Sequence, residues 1–243
     1  MPEPVNLDAL NGRFAVGGAL AFAMSPLGGA VARLKWRGSE ATVALQGAQV
    51  LGWRHAGAEM LWLSSASRLG TGKAMRGGIP VCWPWFGPHP GDPAKPSHGF
   101  VRTRAWEVAS SAVDDAAVSI TFSTRTGDGD RDLFPHDAEA RLTVTLGAGL
   151  SLDLATHNLG PAALPLSQAL HTYFRVSDIA SVQVEGLAGQ PYIDKLDDQN
   201  PRKTQAGPVM FSGETDRIYL GDTSAIRGLF FGFQKYLYED AGS

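Results

Sequence analysis

Hydrophobic and polar positions alternate with a period of two over much of this chain, and that period predicts strands. The clearest run is Ala140-Arg141-Leu142-Thr143-Val144-Thr145-Leu146, which puts Leu142, Val144 and Leu146 on one face. Trp106 to Ala109, Ala117 to Thr124, Glu139 to Leu146 and Leu150 to Asn158 follow the same rule. Ala41 to Leu45, Val50 to Trp53 and Met60 to Leu63 are shorter apolar stretches parted by Gly, His and Glu. Turn signals recur between the runs, at Asp114-Asp115, Gly127-Asp128-Gly129-Asp130, Gly147-Ala148-Gly149 and Gly160-Pro161. Strands meeting turns at such short spacing predict an all-β protein of antiparallel sheets packed as a sandwich. No long helical stripe is present.

Composition agrees with that reading. The 29 glycines and 15 prolines fit a loop-rich β-protein, and 44% hydrophobic residues suffice for a substantial core. At 243 residues the chain is expected to form a single domain over 1–243. Its net charge is -3 with basic residues spread along the sequence, which leaves no footprint for nucleic acid or an anionic membrane. Attraction to an anionic ligand must therefore be local, built by a few arginines in a pocket. The lone cysteine, Cys82, excludes an intrachain disulfide and a cysteine-based zinc site. It sits in the apolar run Ile79 to Trp83, where a small buried side chain is the plainer reading than a reactive thiol. The start, MPEPVNLDAL, lacks the basic and apolar regions of a secretory signal, and the apolar run Phe14 to Ala23 is too short to span a bilayer. A soluble, cytoplasmic monomer is the expectation.

Four segments carry candidate chemistry. In Met75-Arg76-Gly77-Gly78-Ile79-Pro80, two glycines would let the backbone approach a ligand while Arg76 offers a planar donor fork, although Arg-Gly-Gly is more often only a turn. Val81-Cys82-Trp83-Pro84-Trp85-Phe86-Gly87 holds three aromatics in four positions, either core or a platform for the C–H face of a sugar. The proline-rich stretch that follows, up to Ser97, is the longest irregular one, and such loops are often functional. In Ser97-His98-Gly99-Phe100-Val101-Arg102, an extended backbone would put His98 and Arg102 on one face about 13 Å apart. Ala169 to Val176 sets His171 among apolar neighbours, where a hydrogen-bonded core histidine is the commoner outcome. His98 and His171 lack the third ligand and short HxH spacing of a metal site. His55, His89, His136 and His157 read as loop, surface or packing residues.

RGGIPVCWPWFG followed by HGFVR, with HTYFRV and the later Glu214-Thr215-Asp216-Arg217-Ile218-Tyr219, resembles the glucose-6-phosphate 1-epimerases, or hexose-6-phosphate mutarotases. The resemblance runs from about Val43 to Leu220 and takes in Leu61-Trp62-Leu63-Ser64 and Phe134-Pro135-His136-Asp137. It implies the galactose mutarotase-like β-sandwich of the aldose 1-epimerase superfamily, with no metal or organic cofactor. It also implies interconversion of the α and β anomers of a hexose 6-phosphate through the open-chain aldehyde. Ring opening needs a base for the O1 proton and an acid for the ring oxygen. By this resemblance His171 is the acid, a task suited to a side chain that titrates near neutrality. His98 orients or polarises the sugar, Arg76 and Arg102 grip the phosphate, Asp216 accepts from sugar hydroxyls, and Ser97 occupies a substrate-contacting position. Without the resemblance Asp216 is not distinguished from Asp194 or Asp178, and Asp-Arg in a turn is commonly a solvated ion pair.

Past Thr223 the likeness stops. Relatives carry a later WNP-type loop and a strand with the glutamate base, and SAIRGLFFGFQKYLYED does not align with them. No residue matches that base, and Glu239 is the one glutamate of the tail. A frameshift, a truncated gene model or a shortened paralogue would each give this ending. The expectation is a sandwich short of its late strands, with open strand edges that the aromatic tail (Phe230, Phe231, Phe233, Tyr236, Tyr238) partly covers. A sugar-phosphate-binding remnant without turnover is the alternative function.

Overall fold

A computed structural model describes residues 5–221 and the backbone of two later strands, 226–230 and 236–238. The chain divides into two compact units, Met1–Arg175 and Val176–Ser243.

In the first unit, β1 (Leu20–Met24), β2 (Ala30–Trp36), β3 (Ser39–Ala44), β4 (Val50–His55) and β5 (Ala58–Glu59) form one antiparallel sheet in sequence order. Two-residue turns set two of its hairpins. Arg37 and Gly38 have φ of 42° and 84°, and Ala56 and Gly57 have 49° and 81°. Two left-handed residues in a row give the turn whose twist matches adjacent antiparallel strands. Preceding this sheet is the helix α1 (Leu7–Phe14), whose first turn is capped by Asn6 accepting from the Ala9 N–H.

After the short strand β6 (Val81–Cys82) come β7 (Glu107–Val113), β8 (Val118–Arg125), β9 (Ala138–Leu146) and β10 (Leu150–Asn158), an antiparallel meander, and then the short strand β11 (Ala169–Leu170). The predicted alternation in β9 is present: Leu142, Val144 and Leu146 are fully buried, as are Val118, Ile120 and Phe122 of β8. Against this face lie Val31, Ala32 and Leu34 of β2 and Val43 of β3, also fully buried. Burying each of the Val, Leu, Ile and Phe side chains stabilises the unit by ~1.5–3 kcal/mol before chain entropy is counted. The core therefore sits between two antiparallel sheets, and the fold is mainly β as predicted. The predicted strand Met60 to Leu63 is reduced to two isolated bridges, Leu61 with Phe174 and Leu63 with Gly77.

The second unit contains β12 (Val182–Glu185), β13 (Pro191–Asp194), β14 (Arg202–Thr204), β15 (Val209–Met210), β16 (Arg217–Tyr219), β17 (Ile226–Phe230) and β18 (Tyr236–Tyr238). They make two antiparallel sheets, ordered β15-β12-β17-β18 and β14-β13-β16. The tail thus pairs β17 with β12. The side chains of the tail aromatics and of Glu239 lie outside the described residues. Among the described residues no helix is long and apolar enough to cross a membrane.

Candidate active site

Two backbone threadings build the site in the first unit. Residues 76–79 pass between Trp62–Ser64 and the start of β4: Gly78 N–H donates to the Trp62 carbonyl at 2.7 Å, Ile79 N–H to that of Val50 at 2.8 Å. What the two glycines admit is neighbouring backbone, since a Cβ on Gly77 would stand 2.5 Å from the Trp62 oxygen and one on Gly78 2.1 Å from the Val50 oxygen. Gln49, buried, holds the turn by donating to the Gly77 carbonyl at 2.6 Å. Arg76 is left exposed at the lip.

The second threading brings His171 alongside. β11 (Ala169–Leu170) pairs with β6, and the ladder continues as His171 N–H to the Pro80 carbonyl at 3.0 Å and Tyr173 N–H to that of Gly78 at 2.9 Å. His171 and Tyr173 alternate along this edge, and their rings are 4.9 Å apart. Tyr173 was not singled out from the sequence; its spacing of two from His171 in an extended segment was the available signal.

The His98 to Arg102 segment is not extended. His98 and Gly99 have φ of 65° and 72°, and Val101–Thr103 form a turn of 3-10 helix. The even-spacing argument for a shared face therefore fails, because it holds only for a strand. A turn brings the two side chains to one pocket by a different route. Arg102 donates from Nη2 to the Ser97 carbonyl at 2.8 Å, and its Nε is buried without a hydrogen-bond partner among the described residues. Ser97 contributes this carbonyl, and its own side chain is not among those lining the pocket.

Between these segments is a cavity of about 190 Å³ lined by Arg76, Cys82, His98, Arg102, His171 and Tyr173, with Ala74, Met75 and Pro80. Such a volume lies below the ~300–1,000 Å³ of drug-sized sites and suits a ligand of monosaccharide scale. The His98 and His171 rings are 6.1 Å apart, and Phe86, 46% exposed, lies 5.0 Å from His98. Trp83 and Trp85 are core: Trp83 Nε1 donates to Thr156 Oγ1, Trp85 Nε1 to the Pro96 carbonyl. Of the three aromatics in that run, Phe86 alone is exposed beside the histidines.

Electrostatics follow from the lining. It contains two arginines and two histidines and, among the described residues, no carboxylate. Burial, then Arg102 and then His171, hold the His98 pKa below its ordinary 6.5. The Gly87 N–H donates to His98 Nδ1 at 3.1 Å, which leaves the proton of the neutral ring on Nε2. His98 is therefore a neutral donor. Its ring 13C signal should titrate below pH 6.5, and in Arg102→Ala the midpoint should rise; a midpoint at or above 6.5 in the wild-type chain would contradict the assignment. The linked stability has a matching sign: with the folded pKa depressed, the contribution is full above pH 6.5 and declines as pH falls through the folded value. Burial pushes the Cys82 thiol up against a smaller lowering by Arg102, so it is a neutral packing group rather than a nucleophile.

The proline-rich loop is pinned. His98 N–H donates to the Gly87 carbonyl at 2.7 Å, and His89 accepts at Nδ1 from Gly91 and Asp92 while Nε2 faces the Leu133 carbonyl at 3.0 Å. His55, similarly, bonds Ser39 at 2.7 Å. Asp216 lies in the second unit, half-buried, with Lys195 Nζ donating to it at 2.9 Å. Among the described residues no cluster of three or more His, Cys, Asp or Glu side chains could hold a metal ion.

The family model described as aldose 1-epimerase matches residues 31–236. A Salmonella typhimurium protein named "Putative glucose-6-phosphate 1-epimerase" is 40% identical over 182 residues, 74% of this chain and 60% of that protein. A protein of the same name from Cenchrus ciliaris is 37% identical over 196 residues, 76% of this chain and 59% of that one. The chain thus spans about 60% of the length of these curated relatives. The crystal structure of a "putative mutarotase" from Salmonella typhimurium superposes with a TM-score of 0.77 at 34% identity, covering 88% of this chain and 71% of that one. Galactose 1-epimerase from Lactobacillus acidophilus shares the fold, with a TM-score of 0.58 at 15% identity over 90% of this chain and 77% of that one. An antiparallel β fold, two histidines facing one cationic pocket, and a match over most of the sequence agree: the chain belongs to the aldose 1-epimerase family.

Proposed function

We propose that this chain binds a hexose 6-phosphate, glucose 6-phosphate in the first instance, in the Arg76–Arg102 pocket and interconverts its α and β anomers. The observation that carries the reading is the lining itself: two guanidiniums and two imidazoles on one small cavity with no carboxylate among its described residues. A phosphoryl dianion meets Arg102 and Arg76 there through charge-assisted bonds. His98, neutral and donating from Nε2, hydrogen-bonds a sugar oxygen. His171 protonates the ring oxygen as the C1–O5 bond breaks, while the O1 hydroxyl releases its proton to solvent water; on re-closure at the opposite face His171 takes the O5 proton back, water returns one to O1, and C1 is inverted. Phe86 offers its face to the sugar C–H surface. Ser97 supports Arg102 through its carbonyl, and Asp216 is retained as a hydroxyl acceptor on the family pattern alone.

The same lining favours a second reading, binding without turnover, because no carboxylate among its described residues stands there to take the O1 proton. Anomerisation of glucose 6-phosphate followed by polarimetry decides between them. Acceleration over the uncatalysed rate supports the enzyme, and saturable binding with no acceleration supports the second reading.

Phosphate recognition is tested separately. Arg102→Ala should weaken glucose 6-phosphate by about 10–100-fold, the worth of bonds to a charged group. Glucose itself should be nearly unaffected in the same calorimetric titration. Equal losses for the two sugars would remove Arg102 from phosphate binding.

A further inference from the structure

A second polar concavity, about 650 Å³, lies on the four-stranded sheet, with Arg13 from the end of α1 in its wall. Strand register builds it. Arg125 of β8 stands opposite Glu139 of β9, and Arg141 follows two residues along the same face, opposite Ser123. The Glu139 side chain is only 6% exposed and receives one bond on each oxygen, from Arg125 Nε at 3.1 Å and Arg141 Nε at 3.0 Å. Burial pushes its carboxyl up, and the bonds from Arg141 and Arg125 outweigh that and hold it below its ordinary value. Glu139 is thus an ionised strut between two guanidiniums.

That strut engages only part of each arginine. Among the described residues the Nη groups of Arg125 and Arg141 have no hydrogen-bond partner, and the two side chains are 65% and 46% exposed. A planar guanidinium tethered at Nε keeps further donors on its remaining nitrogens. Charge points the same way. Arg13, Arg104, Arg125 and Arg141 line the groove against Glu107 and Glu139, and Asp130 pairs with Arg104, which leaves one positive charge in surplus. The chain as a whole is at -3. Plain surface ion pairing accounts for Glu139 but not for the surplus donors gathered in a concavity.

We propose that this groove is a second anion site, in which Arg125 and Arg141, fixed by Glu139, hold a phosphoryl dianion between their Nη groups. The phosphoryl could be free phosphate or the end of a sugar phosphate. Amide shifts of the intact chain, titrated separately with inorganic phosphate and glucose 6-phosphate at ionic strength held with chloride, tell the sources apart. Saturable shifts at Ser123, Arg125 and Arg141 are expected. Tighter saturation by phosphate assigns the free ion, and tighter saturation by glucose 6-phosphate assigns the ester. Ser123→Glu places a competing carboxylate opposite Arg141 without touching the strut, and should weaken saturation at least about tenfold. Arg141→Gln, which keeps a donor for Glu139, should do the same. Shifts that never saturate, that chloride alone reproduces, or that survive both substitutions overturn the site, whatever happens at His98 and His171.

Discussion

Gly99→Ala should cost on the order of 2–5 kcal/mol of stability, the sum of a left-handed alanine and an overpacked contact. That is a large share of the ~5–15 kcal/mol of a typical folded domain and should lower the melting midpoint by roughly 10 °C. The reason is local. A Cβ on Gly99 would stand 1.8 Å from the carbonyl oxygen of Trp83 and 2.4 Å from its carbon, and both belong to backbone that is fully buried. Backbone there cannot swing aside as a flexible side chain could. Gly57→Ala separates the two costs, because Gly57 has φ of 81° but nothing within 4 Å of its Cβ position. Thermal melts of the two variants should therefore differ by several degrees, with Gly99→Ala the lower. Equal midpoints would show that the approach to Trp83 is not rigid.

His171→Asn should lower the rate of glucose 6-phosphate anomerisation by about 10²–10⁴-fold, the range that a positioned acid contributes. Asparagine keeps a polar side chain of similar reach but cannot titrate. The ladder that places residue 171 runs through backbone atoms, so the substitution leaves the pocket wall standing. Affinity measured by calorimetry should change only a few-fold if, as proposed, the arginines carry the phosphate. An unchanged rate would remove His171 from proton transfer. A rate and an affinity that collapse together would make it a binding group instead.

What the sequence discloses follows from which forces leave a period behind. β9 shows its alternation because one face is sealed and the other half-exposed. β2 shows it only in its second half: Ala30, Val31 and Ala32 are buried in succession, and only Arg33-Leu34-Lys35 alternate. α1, at eight residues, is too short for a helical stripe to stand out, although Asn6 supplies its cap. The site divides the same way. Arg76, His98, Arg102 and His171 are legible as residue types within a specific motif, and the structure brings these four together. Their geometry is not legible, because the path from His98 to Arg102 depends on two left-handed residues and a 3-10 turn. The role of the Arg-Gly-Gly glycines is likewise hidden, since only a neighbouring chain segment reveals what they must avoid.

One bond, from the Gly87 N–H to His98 Nδ1, has a broader consequence. The nitrogen that would accept a second proton makes one of the two bonds that fasten the near end of the proline loop to its far end, the other being the His98 N–H on the Gly87 carbonyl. Charging the imidazole converts that acceptor into a donor and unfastens the bond in the same event. Rim geometry and pocket charge are therefore coupled through this one bond. The exchange rate of a single amide, Gly87, becomes a gauge of whether the floor of the pocket carries a proton.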